Sequence, residues 1–284
     1  MNIVVRKLHP LIGAEIRGVD LHRPMDADVF AAVHDAWMQH LVVVFPDQNI
    51  TDEEHVAFTR HFGEPEIFHQ AIIRSKRMQE IFRVSNVNDD NVLMPPDHPT
   101  VKQVGLAQMW HTDSSYRALP CLGSLLHGVE ISRTGGATRF INMYEVYDAL
   151  PDRLKQRIEG RYGAFVYGGR RRAVALLNPE DQDKKPALHA LARVHPETGR
   201  KGLYFDPGKI LRVEGVEAEE SDALIDELTT YMVQPGATYH HQWQKGDIVI
   251  WDNRCSYHKA AGDYPPEEDR IHWRVSIKEA AAAH

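Results

Sequence analysis

Residues 246–277 read "GDIVIWDNRCSYHKAAGDYPPEEDRIHWRVSI", and this segment decides the fold class because it contains three strand-like runs separated by turns. The runs are "DIVIW", "SYHKAA" and "HWRVSI", and the Asn, Gly and Pro residues between them mark the turns. The preceding run "TYHHQW" adds a fourth strand. Since a few helical segments accompany many strands elsewhere, we predict a mainly β fold with flanking helices, either a β-sandwich or a jelly roll.

Hydrophobic periodicity predicts further elements upstream of this segment. The predicted strands lie at residues 2–8, 12–18, 41–45, 80–87, 123–131, 137–142 and 164–167. Four helices are predicted. The first carries Val29, Val33 and Trp37 on one face, and the second begins at the capping box Thr51-x-x-Glu54 and runs to Gly63. The other two lie at 144–159 and 217–231. We expect long loops at 88–106 and 169–188, the second as a candidate lid, and a hairpin around "HPETG".

Composition limits the class of protein. The chain has 284 residues, of which 43% are hydrophobic and 26% charged, and we predict one domain spanning 1–284 with a disordered tail at 279–284. The net charge of −7 argues against nucleic-acid binding, and no apolar run is long enough to span a membrane. We therefore predict a cytoplasmic protein that forms a homo-oligomer, a dimer or a tetramer. Cys121 and Cys255 are expected to be buried reduced thiols.

A His-x-acid triplet is weak evidence of a metal site on its own. With 17 His and 40 Asp plus Glu residues in the chain, roughly two such triplets are expected by chance. His195-Pro-Glu197 lies in "HPETGRKG", a turn sequence, and is expected to be structural. His111-Thr-Asp113 lies in "MWHTDSSY" at 109–116, where a strand would point the His and Asp side chains to one face.

The best candidate for a third ligand is His258 in "WDNRCSYHKAA". The adjacent His240 and His241 would face opposite sides of a strand and cannot both bind one metal. Two His and one carboxylate leave one side of the metal open, which suits non-heme Fe(II) and O₂. Zinc prefers a closed or nearly closed tetrahedron with more N or S ligands.

The last strand carries a second indication of function. In "DRIHWRVSI", Arg270, His272 and Arg274 share one face, and Ile271 and Trp273 share the other. If the apolar face packs against helices, the two arginines point into the sandwich, where they need anionic partners. A solvated face of an edge strand is the alternative.

The motifs "WHTDSSY", "GGATRF" and "WDNRCSYHKAAGDYPPEEDRIHWRVSI", with "FPDQ" at 45–48 and "HPETGRKGLYF" between them, carry a family resemblance. In this order and at these spacings they resemble the TauD/TfdA family, the taurine and aryloxyalkanoate dioxygenases that use Fe(II) and 2-oxoglutarate. The resemblance covers nearly the whole chain. It implies a double-stranded β-helix of the jelly-roll, cupin-like type.

The resemblance also implies roles for individual residues. His111, Asp113 and His258 would bind Fe(II), while Thr138 and Arg270 would hold the distal carboxylate of 2-oxoglutarate. Arg274 would bind the acidic group of the substrate, and such bonds from a guanidinium to a carboxylate are bidentate and charge-assisted. The implied reaction consumes O₂, releases succinate and CO₂, and hydroxylates a small anionic organic substrate, a sulfonate or an aryloxy- or alkyl-carboxylate.

The substrate pocket is the part of the chain that departs from the taurine enzymes. "FGEPEIFHQ" shifts His69 by one position, which favours a substrate other than taurine. Ser114, Tyr167 and Lys209 are the candidate pocket residues. An inward Lys209 would favour a second anionic group, and a solvated loop lysine is the alternative. Residues 170–172, all Arg, could close over an anion or lie on a solvated loop.

Two alternatives from other classes stay open at this point. A zinc-dependent hydrolase or a cupin-like binding module could use the same His111, Asp113 and His258. A non-catalytic jelly-roll scaffold would give no reason for inward-facing Arg270 and Arg274.

Overall fold

Strands carry most of the regular structure in the computed structural model, which describes residues 3–67, 71–171, 185–234 and 236–279. The strands of these ranges are β1 (Val4–Lys7), β2 (Ala14–Arg17), β3 (Val42–Phe45), β4 (Phe82–Ser85), β5 (Cys121–Glu130), β6 (Thr138–Asn142), β7 (Tyr162–Phe165), β8 (Ala187–Ala190), β9 (Ala192–Val194), β10 (Lys201–Leu203), β11 (Ile210–Val213), β12 (Thr238–His241), β13 (Ile248–Asp252), β14 (Ser256–Ala260) and β15 (Ile271–Lys278). The helices are α1 (Ala27–His40), α2 (Asp52–Thr59), α3 (Pro99–Gly105), α4 (Met143–Ala149), α5 (Asp152–Ile158) and α6 (Ala218–Met232), with 3₁₀ turns at Ala71–Ile73, Leu106–Gln108 and Gly169–Arg171.

Two sheets form the sandwich that holds the site. The larger has seven strands in the order β1-β2-β3-β13-β5-β15-β4, and the smaller has three in the order β12-β6-β14. All pairs in both sheets are antiparallel except β2 with β3. Side chains from both sheets meet in one apolar cluster that includes Leu126, Phe140, Val249 and Trp251. The predicted mainly β, jelly-roll fold with flanking helices is confirmed.

The sequence of β13 is a nearly continuous apolar run because both faces of the large sheet are covered at this strand. Val249 and Trp251 face the smaller sheet, while Ile248 and Ile250 face α1 and pack in the cluster that contains Trp37. Alternation along a strand sends successive side chains to opposite faces, and here both faces are covered. All five strand residues are buried as a result. Packing on both faces therefore holds the large sheet in place where it supports the site.

Three predictions, two of a helix and one of a loop, differ from the structure. The single helix expected at 144–159 is two helices, α4 and α5, because Pro151 keeps the preceding residue Leu150 extended (ψ 137°). The loop expected at 88–106 contains α3, which starts at Pro99. The helix predicted from Thr51 has both halves of its capping box but ends at Thr59 rather than at Gly63.

Several predictions lie outside what the structure tests. His69, residues 172–184 of the candidate lid and the tail from residue 280 fall outside the described residues. Among the described residues, no helix is both long enough and apolar enough to cross a membrane. The single-domain organisation, the homo-oligomer and the cytoplasmic location stay predictions.

Candidate metal and cosubstrate site

His111 and His258 are brought together by backbone pairing. They form a one-residue antiparallel bridge, in which His111 N donates to His258 O (3.1 Å) and His258 N donates to His111 O (2.9 Å). The two imidazole centroids lie 4.2 Å apart. His111 was expected on a strand, but the chain leaves this single bridge at Thr112 and turns, so the strand prediction is wrong here. A continued strand would have carried Asp113 away along β14.

Asp113 completes a His–Asp–His triad with these two residues. Its Oδ1 lies 3.9 Å from His111 Nε2 and its Oδ2 lies 3.8 Å from His258 Nε2. One ligand atom from each residue lies within 4.8 Å of the other two, so one cation could reach all three. His111 Nδ1 lies 2.8 Å from the Met109 carbonyl, which can only accept, so Nδ1 carries the proton and Nε2 keeps a free lone pair.

The protonation states of the triad suit metal binding. Burial alone would raise the pKa of Asp113, but Arg274, His258 and His111 hold that pKa well below its usual range. Burial lowers the pKa of His258 well below its ordinary value, and His111 adds to this lowering. The site therefore offers an ionised carboxylate and a neutral imidazole, the forms that ligate cations.

Asp113 is held in place by two donors. Ser124 Oγ donates to Asp113 Oδ2 at 2.7 Å, and Arg274 Nη1 donates to Oδ1 at 2.6 Å. Ser124 in turn accepts from Asn253 Nδ2 at 3.1 Å. Such partners orient a ligating carboxylate and tune its basicity.

Thr138 and Arg270 lie at a second position inside the sandwich. Thr138 Oγ1 accepts from Trp243 Nε1 at 3.0 Å, and the Trp243 ring packs edge-on against His272, with centroids 4.6 Å apart. Arg270 is 4% exposed, and its Nη2 donates to the Gly136 carbonyl at 3.3 Å. No carboxylate of the described residues lies within 4.0 Å of the Arg270 guanidinium. A buried guanidinium without an anion is costly, so this region is suited to a carboxylate ligand.

The sequence "GGAT" gives this region its shape. Gly135 and Gly136 have φ values of 68° and 72°, in the left-handed region that glycine tolerates best. A Cβ on Gly135 would lie 2.5 Å from the Asp263 carbonyl oxygen, and one on Gly136 would lie 3.3 Å from Arg270 Nε. Gly135 therefore allows the close approach of the chain to Asp263, and Gly136 allows its approach to Ser132 and Arg270.

A cavity of about 120 Å³ opens beside the triad. Six of the nine predicted site residues line it, namely His111, Asp113, Ser114, Tyr167, Lys209 and Arg274. His258, Thr138 and Arg270 do not line it. Apolar side chains supply much of the remaining wall, including Ile73, Phe82, Val84, Val104 and Leu106.

The three predicted pocket residues differ in how they meet this cavity. Ser114 has a φ of 58°, a strained value for a non-glycine residue, and its Oγ accepts from Cys121 Sγ at 3.2 Å. Lys209 Nζ lies 4.1 Å from the ring centroid of Tyr167, whose hydroxyl accepts from Gln103 Nε2 at 2.6 Å. Lys209, for which the sequence left an inward or a solvated side chain open, thus lies over an aromatic face at the cavity wall, as cations prefer.

Comparison with known proteins identifies the family. The family model described as "Taurine catabolism dioxygenase TauD, TfdA family" matches residues 5–276. The chain belongs to the TauD/TfdA family. It is a 2-oxoglutarate-dependent dioxygenase, as the sequence resemblance implied.

Individual relatives agree with this assignment. The chain is 33% identical to a "(S)-phenoxypropionate/alpha-ketoglutarate-dioxygenase" of Sphingobium herbicidovorans, with 99% of this chain and 98% of the relative covered. It is 31% identical to an "Alpha-ketoglutarate-dependent 2,4-dichlorophenoxyacetate dioxygenase" of Cupriavidus pinatubonensis, with 91% and 92% covered. The crystal structure of AAD-2 in complex with Mn(II) and N-oxalylglycine matches with a TM-score of 0.88 at 30% identity, with 99% and 98% covered.

Within this TauD/TfdA chain, sequence reasoning missed Asp206 as a site residue. Asp206 is fully buried, lines the cavity and accepts from Ser115 Oγ at 2.7 Å. Burial raises its pKa, against the lowering effect of Lys209. The segment "FDPGK" signals a turn, and an Asp before a Pro-Gly pair is ordinary turn chemistry, so nothing in the sequence marked it as facing the pocket.

Arg170, by contrast, was a candidate site residue that the structure places in ion pairs with a helix. It was considered as a cation that closes over an anion, but it donates to Asp222 Oδ1 at 3.1 Å and Asp226 Oδ1 at 2.6 Å on α6. Its charge is already neutralised by these carboxylates. The structure therefore does not bring Arg170 into the group of predicted site residues.

Proposed function

We propose that the chain is an Fe(II)/2-oxoglutarate-dependent dioxygenase that hydroxylates a small anionic organic substrate, with aryloxyalkanoates as the first class to test. The observation that carries the proposal is the His–Asp–His triad at the wall of a cavity that also contains Arg274 and an apolar surface. The two curated relatives described above are named for acting on aryloxyalkanoates, which supports this order of testing.

His111, Asp113 and His258 would hold the metal. Two imidazole nitrogens and one carboxylate, with the cavity on one side, are the ligand set of non-heme Fe(II) sites. Bound Fe(II) would supply O₂ activation coupled to oxidative decarboxylation of 2-oxoglutarate to succinate and CO₂. A closed structural zinc site, which needs four ligands, finds no further S or N ligand at the triad among the described residues. A catalytic zinc needs only three protein ligands, so metal analysis and the succinate assay below distinguish a zinc hydrolase from the proposed dioxygenase.

Arg270 and Thr138 would orient the cosubstrate. The Arg270 guanidinium can pair with the distal carboxylate of 2-oxoglutarate, and the Thr138 hydroxyl, which already accepts from Trp243, can donate its proton to the same group. Burial at 4% exposure keeps water from competing for these bonds.

The cavity would hold the primary substrate. Arg274 is the candidate cation near the triad, although Asp113 already takes one of its donors; its Nε is buried and has no hydrogen-bond partner among the described residues. The apolar wall suits an aromatic or alkyl body, while Ser114 and Tyr167 offer hydroxyl groups. Lys209 is positioned for a second polar or anionic group, because no carboxylate of the described residues lies within 4.0 Å of its Nζ.

A succinate-release assay tests the proposal. Purified enzyme with Fe(II), 2-oxoglutarate and O₂ is assayed against aryloxyalkanoates, alkyl sulfonates and alkyl sulfates, and the organic product is identified by mass spectrometry. We expect succinate and a hydroxylated product, or the phenol left by its collapse, in equal amounts for at least one aryloxyalkanoate. Tightly held Zn with no succinate from any substrate would contradict the proposal and favour the hydrolase.

Variants refine the assignment of the pocket. Arg274→Gln should raise KM for the best substrate more than Lys209→Gln does, because a guanidinium can bind a carboxylate through two bonds. Lys245→Gln is the matched control, since Lys245 pairs with Glu130 on the surface and lines no part of this cavity. Equal KM values in Arg274→Gln and in the unmodified enzyme would remove Arg274 from the substrate site.

A further inference from the structure

A row of basic side chains crosses the outer face of the small sheet. Strand register places Arg139 of β6 opposite His240 of β12 on one side and Lys259 of β14 on the other. The bridge between His111 and His258 extends the row, because in an antiparallel pair the neighbouring residues Trp110 and Lys259 are also opposed. Lys259 Nζ lies 5.3 Å from the Trp110 ring centroid. We call Trp110, Lys259, Arg139 and His240 the outer row.

Among the described residues, Arg139 and Lys259 of the outer row have no carboxylate partner. No carboxylate of the described residues lies within 4.0 Å of the Arg139 or Lys259 nitrogens, and Arg139 Nε is buried with no hydrogen-bond partner there. Like charges directly opposite on neighbouring strands are destabilising. Burial, and then the charge of Arg139, lower the pKa of His240, as expected in a positive local potential. The repulsion between these cations is destabilising. An anion bound between Arg139 and Lys259 would reduce this repulsion.

The outer row lies at one end of a series of cavities that ends at the triad. A groove of about 570 Å³ is lined by the outer row, and it shares Trp110 and Lys259 with a cavity of about 740 Å³. That middle cavity shares Trp110, Tyr167 and Lys209 with the cavity beside the triad. Each of these three cavities is therefore lined by at least one Lys or Arg side chain.

Acidic side chains along this series do not cancel its positive charge. Asp222 and Asp226 line the middle cavity, but both accept hydrogen bonds from Arg170. In the cavity beside the triad, Asp113 pairs with Arg274, and burial raises the pKa of Asp206 against the charge of Lys209. No carboxylate of the described residues lies within 4.0 Å of the Lys259 or Lys209 ammonium. On a chain of net charge −7, a local positive series is where an incoming anion is attracted rather than repelled.

We propose that Arg139 and Lys259 form an outer carboxylate-binding site, from which the anionic substrate passes along Lys259 and Lys209 to the cavity beside the triad. The proposal rests on the proposed function in one respect, that the substrate is an anion. Arg139 offers a planar fork to a carboxylate, Lys259 offers a second donor about 5 Å away across the strands, and Trp110 offers an aromatic wall. The structure also allows a simpler role, in which the two cations only balance the C-terminal dipole of α6.

A direct binding measurement tests the outer site without any turnover. Trifluoroacetate, a small carboxylate, is observed by ¹⁹F NMR line broadening with the full-length protein at low ionic strength. We expect the double variant Arg139→Gln/Lys259→Gln to lose most of the broadening, while Lys209→Gln and Lys245→Gln keep it. Unchanged broadening in the double variant would overturn the outer site, whatever the substrate of the enzyme proves to be.

Kinetics test the passage from the outer site to the triad. With an anionic substrate at low salt, the double variant should lose about tenfold in kcat/KM, within the range of electrostatic steering, with kcat retained at saturation. At about 0.5 M NaCl the loss should vanish, because the screening length falls to a few Å. It should also be absent for a neutral amide of the same substrate.

Contrary results are distinguishable from one another. A fall in melting temperature with no salt-dependent kinetic change would mean that Arg139 and Lys259 only balance the α6 dipole, and would overturn the passage. An equal loss for anionic and neutral substrates would overturn it too. If no aryloxyalkanoate, sulfonate or sulfate is turned over at all, the proposed function fails, and the trifluoroacetate measurement decides the outer site alone.

Discussion

Among the described residues, two groups have side chains that could bind a metal, and they differ in what surrounds them. One is the His–Asp–His triad, and the other is a closed cluster of His195, Asp252 and Cys255, whose ligand atoms also lie within 4.8 Å of one another. In the closed cluster, Asp252 accepts from His195 Nε2 at 3.0 Å and from Arg254 Nη2 at 2.6 Å. Its other oxygen accepts from Arg254 Nε at 2.9 Å and from the Arg254 backbone N at 2.8 Å, which brings these accepted bonds to four. Its carboxylate therefore has no lone pair left for a cation.

The ligand atoms of the triad keep lone pairs that could bind a metal, whereas the Asp252 oxygens of the closed cluster do not. His111 Nε2 is free, His258 Nε2 lies 3.8 Å from Asp113 Oδ2, beyond hydrogen-bonding distance, and a cavity adjoins His111 and Asp113. Burial raises the pKa of the Cys255 thiol well above its ordinary value, so the closed cluster offers a thiol rather than a thiolate. The comparison teaches that residue type and proximity do not make a metal site; free lone pairs and access do.

The largest expected effect comes from removing a ligand from each group. His258→Ala should weaken Mn(II) binding by more than about 100-fold, since even the loss of a supporting partner costs about 10–100-fold. His195→Ala should leave Mn(II) affinity unchanged. Electron paramagnetic resonance of free Mn(II) measures both.

Controls guard this experiment against misfolding. Circular dichroism shows whether His258→Ala is folded, and His111→Ala, at the edge of the site, gives a second variant with the same expected loss. Equal Mn(II) affinity in the His258→Ala and His195→Ala proteins would contradict the assignment of ligands to the triad.

Asp252 should matter for stability instead. Asp252→Asn leaves the buried Arg254 with Glu197 as its remaining carboxylate partner, and breaking a buried ion pair costs about 3 kcal/mol in the free energy of unfolding. Urea unfolding followed by circular dichroism measures this loss, and Asp222→Asn, which breaks an exposed pair, should cost under about 1 kcal/mol. Similar losses in the two variants would show that the closed cluster is not a structural anchor.

The same substitution has a pH signature. Burial alone would raise the pKa of Asp252. Hydrogen bonding from His195 and the charge of Arg254 outweigh burial and lower this pKa from 3.8 to about 2. A lowered folded-state pKa stabilises the protein above about pH 4, and this stabilisation is lost as the pH falls toward about 2. The difference in stability between the native chain and Asp252→Asn should therefore shrink across that window. A constant difference would contradict the pKa assignment.

The sequence predicted the parts of the molecule that depend on local pattern. The strand alternation in "DRIHWRVSI" correctly separated Arg270 and His272 from Trp273. In the structure Arg270 and His272 are buried, and Trp273 packs near Val56 of α2. The turn chemistry of "HPETG" correctly made His195 structural.

Other features depend on pairing between distant segments and could not be read from local pattern. Ser124 reaches Asp113 only because β5 lies beneath the turn that follows His111. The unpaired state of Arg139 depends on the register of three strands. Asp206 enters the pocket through a turn whose direction its own residues do not specify.

A smaller effect is expected at Ser124, which supports the triad without ligating. Ser124→Ala removes the 2.7 Å hydrogen bond to Asp113 Oδ2 and should weaken Mn(II) binding about tenfold. Ser256→Ala is the matched control, because this buried serine donates to the backbone carbonyl of Asp252 in the closed cluster. If Ser256→Ala weakened Mn(II) binding as much, a general loss of packing would explain both results.

The smallest expected effect is at Cys255. Because its thiol is buried and its pKa is raised, Cys255→Ala should change Mn(II) affinity and succinate release by less than about twofold. In the native protein, neither Cys255 nor the buried Cys121 should react with a thiol reagent at pH 8, and both should react in urea. Rapid native labelling of one thiol, lost in Cys255→Ala together with Mn(II) affinity, would mean that the closed cluster opens and binds metal, and the distinction between the two groups would fail.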